Sequence, residues 1–169
     1  MHRLAAVIGL LALAITATPI VAAAPDEAKG PDVVLTADLE GVPIPLVAVA
    51  NFQCNDFDYP AIHCFKAAGE LSASLQVALS LDLLSGIDYV QVWEHSAYGG
   101  SSMVISQDYN ALSLLGWNDR ISSFKARNSQ TGTFYTDWFA NGSAYGFCCN
   151  QQVPSLGSYN DTFSSVYNN

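Results

Sequence analysis

A chain of 169 residues with 15 acidic and 6 basic residues carries a formal charge of −9, and its length suggests one domain plus appendages. That acidic balance excludes the basic stripe needed by a nucleic-acid binder and gives no attraction to anionic membrane surfaces. It suits a cation-binding protein.

The first 24 residues differ in kind from the rest. Arg3 is followed by no charge until Asp26, Leu4 to Val21 is apolar or small, and Val21-Ala22-Ala23-Ala24 offers small residues for cleavage. This predicts a signal peptide over 1–24 and therefore a secreted protein. Uncleaved, the same run would be almost long enough to anchor the chain in a membrane, the only membrane contact expected.

Residues 25–86 read as an N-terminal extension. Pro25 to Pro31 form a linker; Val33-Val34-Leu35 and Leu46 to Phe52 are β-prone, with Pro43 and Pro45 confining them to edges. Over about 66–84, Leu71, Leu75, Ala78, Leu79 and Leu83 recur at helical spacing, and Gly86 follows as a stop. The apolar stripe of that helix is expected to pack on the second half of the chain.

From Asp88 the period is two: Tyr89, Gln91 and Trp93 alternate with Val90, Val92 and Glu94. Short β-prone segments and turn-rich loops then follow in two rounds, about 87–128 and 129–169. Two units of about four strands predict a β-sandwich of Greek keys. Most of the aromatic residues here are expected in the core, with one of the adjacent pair Trp138-Phe139 facing outward.

A short stretch occurs twice. Leu115-Gly116-Trp117-Asn118-Asp119-Arg120-Ile121-Ser122-Ser123-Phe124 is matched by Leu156-Gly157-Ser158-Tyr159-Asn160-Asp161-Thr162-Phe163-Ser164-Ser165-Val166, with Ser158 as one extra residue. Upstream, Trp93, Tyr98 and Gly100 are matched by Phe134, Phe139 and Asn141-Gly142, 41 residues on. A period of this size is that of one supersecondary unit. Asn, Asp and Ser form turns by themselves, but two copies at matching spacing also bring together carboxylates, amide oxygens, hydroxyls and loop carbonyls. These are hard oxygen donors without His or Cys, a set that suits Ca²⁺ rather than zinc or copper.

The doubled aromatic hairpin followed by Asn-Asp-x-x-Ser-Ser resembles the βγ-crystallin superfamily, over about 87–169. The resemblance implies a mostly β, βγ-crystallin-like Greek-key sandwich with a small α-containing N-terminal extension. It also implies two Ca²⁺ ions held between the paired loops. Asp119 and Asp161 would supply side-chain oxygens, Arg120 and Thr162 their carbonyls, and Ser122 and Ser164 a hydroxyl to the ion of the opposite loop. A hairpin carbonyl would come from near Glu94 and Tyr135. Some small bacterial inhibitors of peptidases share this fold, so a protease is an alternative partner. An exposed Trp makes a glycan a further one.

No His-Glu-x-x-His, Gly-x-Ser-x-Gly or paired-Cys zinc spacing is present, so no enzyme is expected. His63 beside Cys64 could suggest a thiol nucleophile, but four cysteines in a secreted chain favour disulfides. Cys54, Cys64, Cys148 and Cys149 allow three pairings. Because neighbouring strand residues point to opposite faces, the expectation is that Cys148 or Cys149 crosslinks to the 54–64 loop and staples the extension to the β domain.

Overall fold

A computed structural model describes residues 33–80 and 88–169, and for 78–80 the backbone only. The expected signal segment and the stripe residues Ala78, Leu79 and Leu83 lie outside the described side chains. Among the described residues no helix is long and apolar enough to cross a membrane.

The first repeat unit supplies β5 (Tyr89–His95), β6 (Gly99–Ile105) and β7 (Ser123–Arg127). The second supplies β8 (Gly132–Tyr135), β9 (Ala144–Phe147), β10 (Gln152–Val153) and β11 (Ser165–Asn168). The units exchange segments. Strand β10 pairs with β7 of the first unit, and Tyr109 of the first unit bridges Val166 of β11. Each unit thus completes the other's sheet.

The alternation read from the sequence appears in β5, where Val90 and Val92 are fully buried and Tyr89, Gln91 and Trp93 are half-buried. Buried aromatic rings join the two sheets. Phe124 of β7 lies 5.4 Å from Phe134 of β8 and 5.7 Å from Phe147 of β9, and Phe134 stacks on Phe163 at 4.9 Å. Rings in such pairs contribute beyond the area they bury. Trp93 is not among them: it meets Tyr98 at 5.2 Å on the outer face, where the Lys125 ammonium sits 3.9 Å from the Tyr98 ring. Trp138 and Phe139 are both exposed, rather than one of the two.

The extension is part of the same sheet. It contains β1 (Thr36–Leu39), β2 (Val42–Pro43), β3 (Gln53–Asn55), β4 (Ala61–Phe65) and α1 (Ala68–Ser80). The sheet order is β10-β7-β5-β6-β3-β4-β1-β2, with β3 parallel to β6 and β1 parallel to β4; β11-β8-β9 form the second sheet. An unpaired edge at β6 would expose a row of backbone donors and acceptors, and β3 covers it. The new outer edge is blunted by β2, two residues long and ending in Pro43.

Two expectations for the extension are corrected. Leu46–Asn51 is a 3₁₀ turn and not a strand: Pro45 presets its entry, Ala48 N donates to Pro45 O at 2.9 Å, and Val49 and Ala50 become fully buried. The helix spans Ala68–Ser80 in the described residues, and Glu70 closes its first turn by accepting Ala67 N at 2.9 Å. It lies against β3 and β4, with Leu71 buried, rather than on the repeat units.

The expected staple is also overturned. Cys54 and Cys64 face each other in register across β3 and β4 and form a buried disulfide. Cys148 and Cys149 are exposed free thiols. They begin the tight turn from β9 to β10, closed by Gln151 N donating to Cys148 O at 2.9 Å, with Cys149 and Asn150 at φ of 57° and 64°. The turn that allows neighbouring cysteines on one side also carries them into solvent.

Asp56 performs the linking role without a covalent bond. It is fully buried; its Oδ1 accepts Ser106 N and Ser106 Oγ, each at 2.8 Å, and its Oδ2 accepts the Tyr109 hydroxyl at 3.1 Å. Burial nevertheless outweighs these donors and pushes the carboxyl up to about 6.

The two Leu-Gly pairs of the repeat serve different ends. Gly116 has φ +73°, and a Cβ there would lie 2.4 Å from the Val47 carbonyl oxygen, so only glycine lets the 3₁₀ turn approach. Gly157 has φ +60° and nothing within 4 Å.

Two outcomes follow from this packing. An unfolded carboxyl titrates near 3.9, so the Asp56 site favours the folded state at acid pH, and that advantage is lost as pH rises from about 4 to about 6. Urea unfolding across that window should show Asp56→Asn gaining on the wild type by about 2 kcal/mol, since each tenfold change in proton affinity is worth about 1.4 kcal/mol and the site is part-titrated at both ends. A pH-independent difference would refute the assignment. Gly157→Ala should cost about 1–2 kcal/mol, the left-handed backbone cost alone, and Gly116→Ala clearly more; equal losses in chemical denaturation would contradict the close approach.

Candidate metal centre

The repeated motif places two loops across an approximate two-fold. Asp119 N donates to Phe163 O and Asp161 N to Ile121 O, each at 3.0 Å, so each loop is held by the other. Both aspartates sit at φ 54°, a left-handed conformation that Asp tolerates through its short polar side chain. Within each loop the preceding asparagine steadies the carboxylate. Asn118 Nδ2 donates to Asp119 Oδ2 and Asn160 Nδ2 to Asp161 Oδ2, both at 2.7 Å.

Ser122 then reaches both the first hairpin and the opposite loop. Ser122 Oγ lies 2.7 Å from Glu94 O and 2.8 Å from Asp161 Oδ1. The expected donors Glu94, Ser122 and Asp161 are therefore gathered in one place, from three segments of the chain. Asp119 and Ser164 are gathered in a second place. They line one cavity of about 570 Å³ together with Asn118, Thr136, Asp137, Trp138, Phe139 and Asn141. Arg120 and Thr162 follow the aspartates in their loops, and among the described residues no backbone amide donates to either carbonyl.

Tyr135 is displaced by one residue from its expected role. Ser122 N donates to Trp93 O at 2.9 Å and Ser164 N to Tyr135 O at 2.8 Å, which makes Tyr135 the counterpart of Trp93. The counterpart of Glu94 is Thr136, which lines the second cavity. The spacing between equivalent hairpin residues is thus that of the Asn-Asp motifs, not one residue shorter. Phe134 is fully buried and matches Val92, so aligning it with Trp93 as an aromatic displaces the hairpin by one residue.

Ser123 and Ser165, the last serines of the motifs, carry a role that the sequence reading does not assign. Both are fully buried. Ser123 Oγ donates to His95 O at 2.7 Å and accepts Tyr98 N at 3.2 Å; Ser165 Oγ donates to Asp137 O at 2.7 Å and accepts Ala140 N at 3.3 Å. Each latches its hairpin, and their recurrence in both copies is the available signal.

The first place carries a further charge pair. Arg120 donates to Glu94 Oε1 at 2.5 Å, with its guanidinium carbon 6.0 Å from the centre of the buried Trp117 ring. Burial raises the Glu94 carboxyl, but the hydrogen bond and charge of Arg120 outweigh it and hold the group below its ordinary value. The second place has Thr162 and Thr136 at the corresponding positions and no such pair. Among the described residues no three His, Cys, Asp or Glu side chains converge, so any cation here would rest on mixed hydroxyl, carbonyl and carboxylate oxygens.

Comparison with known proteins finds matches to part of the chain. Residues 88–147 match the model of peptidase inhibitor family I36, a βγ-crystallin-like family. Among solved structures, the chain is similar to a βγ-crystallin from Ciona intestinalis, at 23% identity over 48% of this chain and 99% of that one, with a TM-score of 0.44. It is also similar to an archaeal βγ-crystallin, at 25% identity over 48% and 98% of the two chains and a TM-score of 0.44. A βγ-crystallin domain from Clostridium beijerinckii is 27% identical over 47% and 95%, with a TM-score of 0.42. No curated protein matches the chain. The resemblance read from the doubled motif is borne out over residues 88–147, and the chain is mostly β.

Removing a latch should act on the fold itself. Ser123→Ala and Ser165→Ala each leave buried hairpin groups unpaired, at a cost of about 1–3 kcal/mol. Urea unfolding in chelator should show this loss for both variants. An unchanged midpoint would mean that the hairpins hold themselves.

Proposed function

We propose that the chain is a secreted, non-enzymatic Ca²⁺-binding protein whose two crossed loops hold two ions and are stabilised by them. The observation that carries this reading is the Ser122 hydroxyl, which has one hydrogen and two oxygen neighbours, Glu94 O at 2.7 Å and Asp161 Oδ1 at 2.8 Å. Only one of those contacts can hold the proton, so the other brings two lone pairs together. A hard cation, which takes six to eight oxygens, fits such a cluster.

Glu94 and Thr162 would offer carbonyls, Ser122 its hydroxyl and Asp161 its carboxylate to one ion. Thr136 and Arg120 would offer carbonyls, Ser164 its hydroxyl and Asp119 its carboxylate to the other. The bound ions would supply positive charge that offsets Asp119 and Asp161. Each set draws on both repeat units, so loading either one ties the units together. Secretion is supported by the apolar N-terminal segment and by the Cys54–Cys64 disulfide, which suits an oxidising compartment.

A second reading, a secreted peptidase inhibitor, is favoured by the family match over residues 88–147. Titrating a panel of serine, cysteine and metallopeptidases with the purified chain tests it.

For the first reading, a ligand that binds only the folded state at a hundredfold excess over Kd stabilises it by about 2.7 kcal/mol. Calorimetry in millimolar Ca²⁺ should therefore give a melting temperature several degrees above that in chelator. The double substitution Ser122→Arg and Ser164→Arg should erase the difference. Equal wild-type melting temperatures in the two buffers would defeat the calcium reading.

A further inference from the structure

The two hairpins share a backbone but not their side chains. Ala97 and Tyr98 have φ of 56° and 63°, and Phe139 and Ala140 have φ of 56° and 57°, each pair beside its serine latch. By this correspondence Trp138 and Phe139 stand where the first hairpin has Ser96 and Ala97. The fold therefore requires no aromatic residue at either place.

Both rings are nevertheless more than half exposed, Trp138 at 52% and Phe139 at 63%. Phe139 is also a bulky residue in the left-handed region, where side chains other than glycine's are strained. The hairpin holds this arrangement firmly. Trp138 Nε1 donates to Asn118 Oδ1 at 3.1 Å, and Asn141 Nδ2 donates to the carbonyls of Trp138 and Phe139 at 2.9 and 3.2 Å. The rings wall the cavity of about 570 Å³, and every other residue lining it, Asp119 and Asp137 included, is polar.

We propose that this cavity binds a neutral saccharide. A pyranose ring has an apolar face of C–H groups and a rim of hydroxyls. The exposed indole of Trp138 would take the face, and the amides and carboxylates of Asn118, Asp137 and Asn141 the hydroxyls. An aromatic body beside a few placed polar groups is the composition of a small-ligand site. A surface gripped by a protein would instead centre on a larger apolar patch with charged groups at its rim. Asp137, on a chain of net charge −9, disfavours acidic sugars. This goes beyond the calcium reading and does not require the ion.

The test uses the full chain and four tetrasaccharides, of N-acetylglucosamine, cellulose, xylan and mannan type, followed by tryptophan fluorescence and ligand-detected NMR. Each titration is run in Ca²⁺ and in chelator, so that failure of the ion site and failure of the sugar site read out separately. At least one sugar should bind, and Trp138→Ala should lose about tenfold in affinity. Phe139→Ser tests the same wall, and an unchanged circular dichroism spectrum and melting temperature of the variants exclude misfolding as the cause. No binding by any of the four up to about 10 mM, or equal binding by both variants, would overturn the proposal. So would a peptidase that binds through Trp138 while none of the sugars does.

Discussion

The structure depends on the crossing of two loops. Asp119 N reaches Phe163 O and Asp161 N reaches Ile121 O, so neither motif completes its backbone hydrogen bonds within its own unit. Each loop thus finds backbone partners in the other. The exchange of β10 and of Tyr109 between sheets follows from the same arrangement, as does the burial of Phe124, Phe134 and Phe163 between them. Duplication in the sequence is therefore a physical requirement of the fold, since half of it has unpaired amides and an exposed aromatic face.

The two halves of the centre have diverged around that shared frame. The first carries the Glu94–Arg120 pair, with the guanidinium 6.0 Å from the Trp117 ring. The second opens into a cavity beside two exposed aromatic rings. The extension covers β6 with β3 and seats the 3₁₀ turn against Gly116. Asp56 joins extension and repeat at the cost of a buried carboxylate, which makes that junction sensitive to pH where the disulfide is not.

Much of this is legible in the residues. The doubled Asn-Asp-x-x-Ser-Ser marks the loops, the two-residue period marks β5, and the helical spacing marks α1, because each is a local pattern with its own geometry. What stays hidden is non-local. No local feature of Leu46 to Phe52 says that its residues lie under Gly116 rather than in a ladder, or that β3 joins β6 in parallel. The hairpin alignment fails because Trp93 and Phe134 share an aromatic ring but not a face: one is outside and the other is core. The cysteine pairing fails because it takes strand geometry at Cys148-Cys149, where the backbone turns. Ser123 and Ser165 look like second copies of Ser122 and Ser164, although their side chains face the hairpin backbone and not the opposite loop.

The central claim is that each ion set is shared between loops distant in sequence. A double-mutant cycle on calcium affinity tests it most directly, using Ser122→Ala with Asp161→Asn and, as control, Ser122→Ala with Asp119→Asn. Ser122 and Asp161 are 39 residues apart and 2.8 Å in contact, so their effects should be strongly non-additive. Ser122 and Asp119, neighbours in one loop but assigned to different ions, should be close to additive. The reverse pattern, with coupling inside a loop and none across, would contradict the crossed-loop centre.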